Sequence, residues 1–155
     1  MTVLVTGGAG YIGSHTAVAL HDAGRHVVVL DDLSNSSPAA VDALRSLTRP
    51  DLPFVEADAA DIDAVSRTLA DHRVDEVVHF AAFKSVSGSI ADPEDYHRNN
   101  VGCTTGVVAA MRAHGVSRLV FSSSCTVYGE PNDVCLLYTS PSPRDYAASR
   151  MPSSA

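Results

Sequence analysis

Three glycines near the start of the chain have the spacing of a phosphate-binding turn. Gly7, Gly10 and Gly13 lie in the segment VLVTGGAGYIGSH, between an apolar run and an amphipathic stretch. The first glycine permits a tight turn, the second lets the backbone approach a pyrophosphate, and the third permits close helix–strand packing. Amides at the N-terminus of the following helix would hold the phosphates. This context predicts a dinucleotide site, and a glycine turn without a ligand is the alternative.

An acidic residue closes the second apolar run of the chain. Asp31 lies eighteen positions after Gly13, where its carboxylate could accept hydrogen bonds from both hydroxyls of an adenosine ribose. The same charge would repel the 2′-phosphate of NADP, so the sequence favours NAD as the cofactor. Asp32 could share or replace this role. The alternative is a solvated aspartate at the end of a strand.

The elements that must position these residues alternate along the chain. Short apolar runs suit strands that are covered on both faces, and the amphipathic stretches between them suit helices. The pattern predicts an α/β fold, a Rossmann-type doubly wound parallel sheet that is truncated after about five strands. The predicted strands are Val3–Val5, Val27–Leu30, Phe54–Val55, Val77–Phe80 and Leu119–Phe121, and the predicted helices are Ile12–Ala23, Ala39–Leu47, Asp61–His72 and roughly Pro93–His114.

Composition excludes several classes of function. The net charge of -7 argues against binding to nucleic acid, which requires clustered Lys and Arg. No apolar run approaches the roughly 20 residues that span a bilayer, and no signal peptide is recognisable. The three cysteines, Cys103, Cys125 and Cys135, form no CxxC or Cys/His cluster, so no metal site is expected. We therefore expect a soluble cytoplasmic protein without a nucleic-acid or membrane partner.

The chain changes character near its end. Residues 135–155 contain three of the eight prolines and no periodic pattern. Ordinary codons for CLLYTSPSPRD can spell a transposase-type sequencing adapter, and SRMPSSA fits the adjoining portion of the same adapter. We expect residues 1–134 to form an incomplete NAD-binding Rossmann domain and residues 135–155 to be a non-native tail. A natural disordered terminus is the alternative.

The sequence also resembles one enzyme family, in which similar segments occur in the same order and at the same spacing. It is similar to the UDP-glucose 4-epimerases, extended short-chain dehydrogenases among the NAD-dependent epimerases and dehydratases. The segments that carry the resemblance are TGGAGYIGSH, LDDLSNSS, HFAAFKSV, NNVGCT and FSSSCTVYG. It covers residues 1 to about 134. It implies NAD-dependent interconversion of UDP-glucose and UDP-galactose through a 4-keto intermediate, with a UDP-sugar as substrate and a homodimer as the complete enzyme.

The resemblance also implies cofactor contacts beyond the glycines and the two aspartates. Most of these residues follow the predicted strands, whose carboxyl ends form the ligand-binding edge of such sheets. The implied contacts are Tyr11 and Ile12 with the pyrophosphate, the segment from Asp31 to Ser36 around the adenosine ribose with Asn35 and Ser36 among its contacts, Asp58 and Ala59 with the adenine, Phe80, Ala81, Ala82 and Lys84 with the ribose and nicotinamide, and Asn99 with the cofactor.

The catalytic group that the resemblance implies is incomplete in this sequence. Ser124 would hydrogen-bond the sugar 4-OH as the catalytic serine, with Thr126 beside it, and Lys84 could also reach the substrate. The family's YxxxK pair, in which the lysine lowers the tyrosine pKa, is absent because Lys84 is the only lysine. Tyr146 and Arg150 have the spacing, but they lie within residues 135–155, and Arg does not replace a compact Lys charge.

The incomplete sequence leads to two expectations and leaves two alternative functions. The polypeptide should lack epimerase activity, and Leu119–Phe121 should form an unpaired apolar edge that promotes aggregation. A related sugar-nucleotide epimerase or dehydratase is one alternative function, although Ser124, Cys125 and Thr126 offer no acidic neighbour of the kind a dehydratase needs. A non-catalytic NAD-binding module is the other alternative.

Overall fold

The computed structural model describes residues 1–124. Its five strands and five helices belong to a compact unit, Met1–Ser122, and a second unit comprises Ser123–Ala155. In chain order the elements are β1 (Thr2–Thr6), α1 (Tyr11–Asp22), β2 (His26–Asp31), α2 (Pro38–Leu47), β3 (Phe54–Glu56), α3 (Ile62–Asp71), β4 (Glu76–His79), α4 (Val86–Ala91), α5 (Pro93–His114) and β5 (Arg118–Phe121).

The five strands form one parallel sheet in the order β3-β2-β1-β4-β5. The chain adds β2 and β3 on one side of β1 and then returns to add β4 and β5 on the other side. This reversal is the mark of a doubly wound fold, and it opens a crevice at the carboxyl ends of the central strands. The predicted fold class is confirmed, and each predicted strand and helix is found within one residue of its predicted ends.

Alternating residues of β1 enter two separate core layers, one on each face of the sheet. Leu4 packs with residues of α3 and α5, among them Val65 and Val107. Val3 and Val5 pack instead with residues of α1 and α2, such as Ala17. Successive side chains of a strand point to opposite faces, so an uninterrupted apolar strand requires helices on both sides. The apolar runs of the sequence are therefore explained by burial on two faces.

Capping residues fix where several helices begin and end. The side chain of Asp61, the N-cap of α3, accepts hydrogen bonds from the amides of Asp63 and Ala64, both at 3.0 Å. Ser37 occupies the N-cap position of α2 but makes no side-chain capping bond. Gly115 ends α5 in the left-handed conformation at φ +69°, as expected for a C-cap glycine.

One helix was not expected from the sequence. The six residues of α4 bury no side chain, so the segment lacks the apolar periodicity from which a helix is predicted. Its N-cap is Ser85, whose hydroxyl accepts a hydrogen bond from the Gly88 amide at 3.1 Å. No helix of the described residues is long and apolar enough to cross a membrane.

Candidate functional site

The glycine turn after β1 approaches its neighbours too closely for side chains. Gly7 has φ +66°, and a Cβ there would lie 2.7 Å from the backbone nitrogen of Ala81. Its amide donates to the carbonyl of Leu30 at 2.8 Å, which joins the turn to β2. A Cβ at Gly13 would lie 2.2 Å from the carbonyl oxygen of Gly7. The first turn of α1 therefore packs directly against the glycine turn, as the spacing predicted.

The N-terminus of α1 is open to an anion. Its N-cap, Gly10, contributes no side-chain hydrogen bond, and the first turn of the helix contains no acidic residue. The first amides of a helix have no partner within the helix, and the helix dipole places partial positive charge on them. The turn therefore presents donors at the edge of the crevice, where they could hold phosphate oxygens.

Asp31 anchors the glycine turn as well as facing the crevice. It is 8% exposed; its Oδ2 accepts from the Ala9 amide at 3.0 Å and its Oδ1 from the Leu33 amide at 2.9 Å. The hydroxyl of Ser36 donates to the Ala9 carbonyl at 2.7 Å. Both backbone groups of Ala9 are thus held by the segment after β2. Each carboxylate oxygen has a second lone pair, so Asp31 can still accept bonds from a ligand.

A second carboxylate lies beside the first. Asp32 is exposed, and its Oδ1 accepts from both the amide and the hydroxyl of Ser34, at 2.9 and 2.7 Å. These two bonds fix the direction of the carboxylate. The two aspartates concentrate negative charge at the end of β2.

An open cleft with about 580 Å³ of empty space brings most of the predicted cofactor residues together. The predicted residues that line it come from the glycine turn and from the segments after β2, β3 and β4, with one residue from α5. They are Gly7, Gly10, Asp31, Asp32, Asn35, Ser36, Asp58, Ala59, Phe80, Ala81, Ala82 and Asn99. The lining also includes Ser34, from the segment predicted around the ribose, and four residues that the sequence did not indicate: Leu30, Ala57, Phe83 and Cys103.

Four predicted cofactor residues are not part of this lining. Tyr11 is 82% exposed and contacts the ring of His15, and Ile12 is 50% exposed. Gly13 lies behind the turn, and Lys84 lies on the exposed surface of the loop after β4. The backbone amides of Tyr11 and Ile12 belong to the first turn of α1, whose donors could hold phosphate.

The predicted catalytic group lies at or beyond the limit of the described residues. Ser124 is exposed and belongs to the second compact unit. Thr126, Tyr146 and Arg150 are outside the described residues. Within residues 1–124, no group of three or more His, Cys, Asp or Glu side chains is placed to hold a metal ion.

Cys103 adds a thiol to the cleft wall. Its Sγ lies 3.7 Å from Oδ1 of Asp58 and 3.8 Å from Oδ1 of Asn99. Burial, together with the charge of Asp58, raises the pKa of the thiol to about 12. The side chain therefore stays protonated at neutral pH and is not a nucleophile. Its position four residues after Asn99 on one helix is the sequence signal that could have predicted it.

A buried histidine ties the sheet to α5 beneath the loop after β4. His79 is 2% exposed, and its Nδ1 shares a hydrogen bond of 2.6 Å with Oγ1 of Thr6. Its Nε2 lies 3.3 Å from Oγ1 of Thr104 on α5. Burial lowers the pKa of this imidazole to about 4, so the ring is neutral at pH 7. It thus has a structural role, joining β4 to β1 and to α5.

Comparison with known proteins agrees with this geometry. A model of the NAD dependent epimerase/dehydratase family matches residues 3–152. The chain belongs to this family. The match extends into residues 135–155, for which a non-native origin stays a prediction. The family assignment agrees with the glycine turn and the doubly wound sheet.

Relatives in this epimerase/dehydratase family include enzymes named UDP-glucose 4-epimerase. The Bacillus subtilis enzyme is 47% identical over 146 residues, which are 94% of this chain and 41% of that protein. A Klebsiella pneumoniae sequence is 46% identical over 84% of this chain and 94% of its own length. The Bifidobacterium longum UDP-glucose 4-epimerase, solved in complex with NAD+ and UDP, has a TM-score of 0.81 at 39% identity, covering 86% of this chain and 40% of that one. The chain thus spans about two-fifths of the length of the Bacillus and Bifidobacterium proteins.

Proposed function

We propose that this chain forms the NAD-binding part of a UDP-glucose 4-epimerase, which interconverts UDP-glucose and UDP-galactose through a 4-keto intermediate. The observation that carries the proposal is the bond between Asp31 and the Ala9 amide, at 3.0 Å. It joins the phosphate-binding turn to the acid that would hold the adenosine ribose, and both line one cleft. When bound, NAD would supply reversible oxidation at C4 of the sugar.

The residues present fit a dinucleotide. The backbone at Gly7 lies so close to Ala81 that a Cβ at this position would fill the space between them. Because glycine has no Cβ, the cleft stays open beside the start of α1. The proposed phosphate contacts are the amides of Tyr11, Ile12 and Gly13, because the Gly10 amide already donates to the Gly7 carbonyl at 3.2 Å. Small side chains at Ala81 and Ala82 would let a ligand pass close to the backbone.

The charge of the cleft favours NAD over NADP. Asp31 and Asp32 both line it, and an added 2′-phosphate would meet both carboxylates. Two like unit charges 4 Å apart repel by about 1 kcal/mol in water and about 4 kcal/mol near a protein surface. Even the lower value reduces affinity several-fold, so NADP should bind less tightly than NAD.

We assign the remaining contacts on the resemblance and, for those that line the cleft, also on their position there. The segment from Asp31 to Ser36, including Asn35, would surround the adenosine ribose. Asp58 and Ala59 would flank the adenine. Phe80, Ala81, Ala82 and Lys84 would lie towards the nicotinamide, with Asn99 as a further contact. Ser124 and Thr126 would act on the sugar hydroxyl. For the complete enzyme, a homodimer in the cytoplasm stays a prediction.

We infer that this polypeptide alone does not turn over substrate. The proposed proton transfer needs a tyrosine whose pKa is lowered by a lysine four positions later, and the chain's only lysine is Lys84. The test compares the chain with the protein encoded by the genomic locus sequenced past codon 134. UDP-galactose should be converted to UDP-glucose by a longer protein that contains YxxxK and not by this chain. Turnover by this chain alone would refute the inference.

A non-catalytic NAD-binding module is the second candidate. The missing YxxxK favours it, because such a module needs the cleft but not the base. A genuine stop codon at the natural locus before any YxxxK, together with NAD binding by the chain, would support the module. An open reading frame that continues to YxxxK would support the enzyme.

A further inference from the structure

The loop after β4 is held at two successive points by side chains of α5. Asn100 binds both backbone groups of Phe83: its Oδ1 accepts from the amide at 2.8 Å and its Nδ2 donates to the carbonyl at 3.1 Å. Two residues further along the loop, the hydroxyl of Tyr96 accepts a hydrogen bond from the Ser85 amide at 3.1 Å. The backbone on both sides of Lys84 is therefore fixed, while the lysine side chain is exposed.

Packing around Tyr96 reinforces this arrangement. Its ring lies against that of Phe83, with 5.3 Å between centroids. A Cβ at Gly88 in α4 would come within 2.6 Å of the Tyr96 hydroxyl. The lack of a side chain at Gly88 therefore leaves room for this hydroxyl. Tyr96 and Asn100 are four residues apart and therefore face the same side of α5. We name the pair Tyr96 and Asn100 the α5 clamp.

The clamp also reaches the cleft itself. Oδ1 of Asn100 accepts a second hydrogen bond, from Nδ2 of Asn99 at 3.1 Å. Both Asn99 and Phe83 line the cleft, whereas Asn100 does not. An asparagine is suited to this position because its amide offers a donor and an acceptor together. An aspartate would keep the acceptor but would set a charged oxygen against the Phe83 carbonyl.

We propose that the α5 clamp positions the segment Phe83–Ser85 and the side chain of Asn99 for the nicotinamide half of the cofactor. This inference rests on the proposed function. Tyr96 and Asn100 are positioning residues, since they act through the groups that they hold. The adenosine half of the cleft, built from the glycine turn, Asp31 and Asp58, has no hydrogen bond to either of them in the described part of the chain; only Asn99 reaches it, through Cys103 and Asp58.

The test is a comparison of NAD and ADP binding to the full 155-residue chain by calorimetry. ADP would occupy only the adenosine and pyrophosphate half of the cleft. The variants Asn100→Asp and Tyr96→Phe should each lower the affinity for NAD, by about tenfold for Asn100→Asp because the bond to the Phe83 carbonyl is replaced by repulsion between two oxygens. Their affinity for ADP should stay within about twofold of the parent. His97→Ala, an exposed change on the same helix, is the control and should alter neither affinity.

The outcomes separate this proposal from the proposed function. If the parent chain folds but binds neither NAD nor ADP, the proposed function fails, and the clamp proposal fails with it. If the parent binds both and the variants weaken both equally, the clamp has only a structural role and the inference is wrong. Unchanged NAD binding in both variants also overturns it. Should Asn100→Asp fail to fold by circular dichroism, Tyr96→Phe provides the same comparison.

Discussion

The buried histidine at the end of β4 should make the stability of the fold depend on pH. Burial lowers the pKa of His79 to about 4, against 6.5 in an unfolded chain. Above pH 6.5 the ring is neutral in both states and adds no pH dependence. As the pH falls, the unfolded state takes up a proton that the folded state does not, so stability is lost until about pH 4. The difference in pKa corresponds to about 3 kcal/mol.

This loss can be isolated with His79→Gln, which removes the titrating ring but keeps a polar side chain. Urea unfolding of both proteins, followed by circular dichroism, should be compared at pH 7 and pH 4. The substitution costs stability at pH 7, because the bond to Thr6 is disturbed. The difference in unfolding free energy between parent and variant should then decrease by about 3 kcal/mol at pH 4. Only the parent has a histidine at position 79 that takes up a proton on unfolding.

The matched control is Val78→Ala, a non-titrating change at the preceding buried residue of β4. It should lower the unfolding free energy by the same amount at both pH values, because the two carbon atoms that are lost do not titrate. If the difference in unfolding free energy between the parent and His79→Gln is the same at pH 7 and pH 4, the reasoning is refuted. It would mean that His79 titrates alike in the folded and unfolded states.

Three further predictions concern packing, capping and the sheet edge. Gly106→Ala should destabilise the fold by about 1–3 kcal/mol in urea unfolding, because its Cβ would lie 2.8 Å from the Ala59 carbonyl. Gly102→Ala should instead stabilise the fold by about 0.5–1 kcal/mol, because its Cβ would lie 3.5 Å from the Cβ of Ala60, an ordinary contact distance. A Gly102→Ala variant less stable than Gly106→Ala would contradict this packing. Asp61→Ala should cost about 1 kcal/mol of unfolding free energy by removing two capping bonds, and an unchanged midpoint would argue against the cap. Val120→Lys, on the exposed edge strand, should reduce aggregation in light scattering; a monodisperse parent would contradict the expected edge liability.

The sequence was sufficient for the sheet and for the turn because both depend on local patterns. Apolar runs such as Val27–Leu30 must be buried on two faces, and glycines at fixed spacing are needed wherever backbones meet. These constraints involve neighbouring residues, so they are visible without coordinates. The short helix α4 escaped prediction because it buries nothing and therefore has no periodic pattern.

The contacts that shape the cleft could not be predicted in the same way. Ser36 holds Ala9 across 27 positions, and Asn100 holds Phe83 across 17 positions. Such hydrogen bonds depend on how two loops, or a loop and a helix, pack in space. They cannot be predicted from the spacing of residues along the chain. The family resemblance indicated Asn99 as a cofactor contact, but nothing in the sequence indicated Asn100. An asparagine within a helix is usually a surface residue.

The decisive measurement is a calorimetric titration of the folded chain with NAD and, separately, with NADP. If the glycine turn and Asp31 form a cofactor site, NAD should bind with saturable heat and NADP should bind more weakly by several-fold or more, as the two carboxylates require. Asp31→Ala should weaken NAD binding, because it removes both the ribose acceptor and the bond to the Ala9 amide. A folded chain that binds neither nucleotide, or that prefers NADP, would contradict the account.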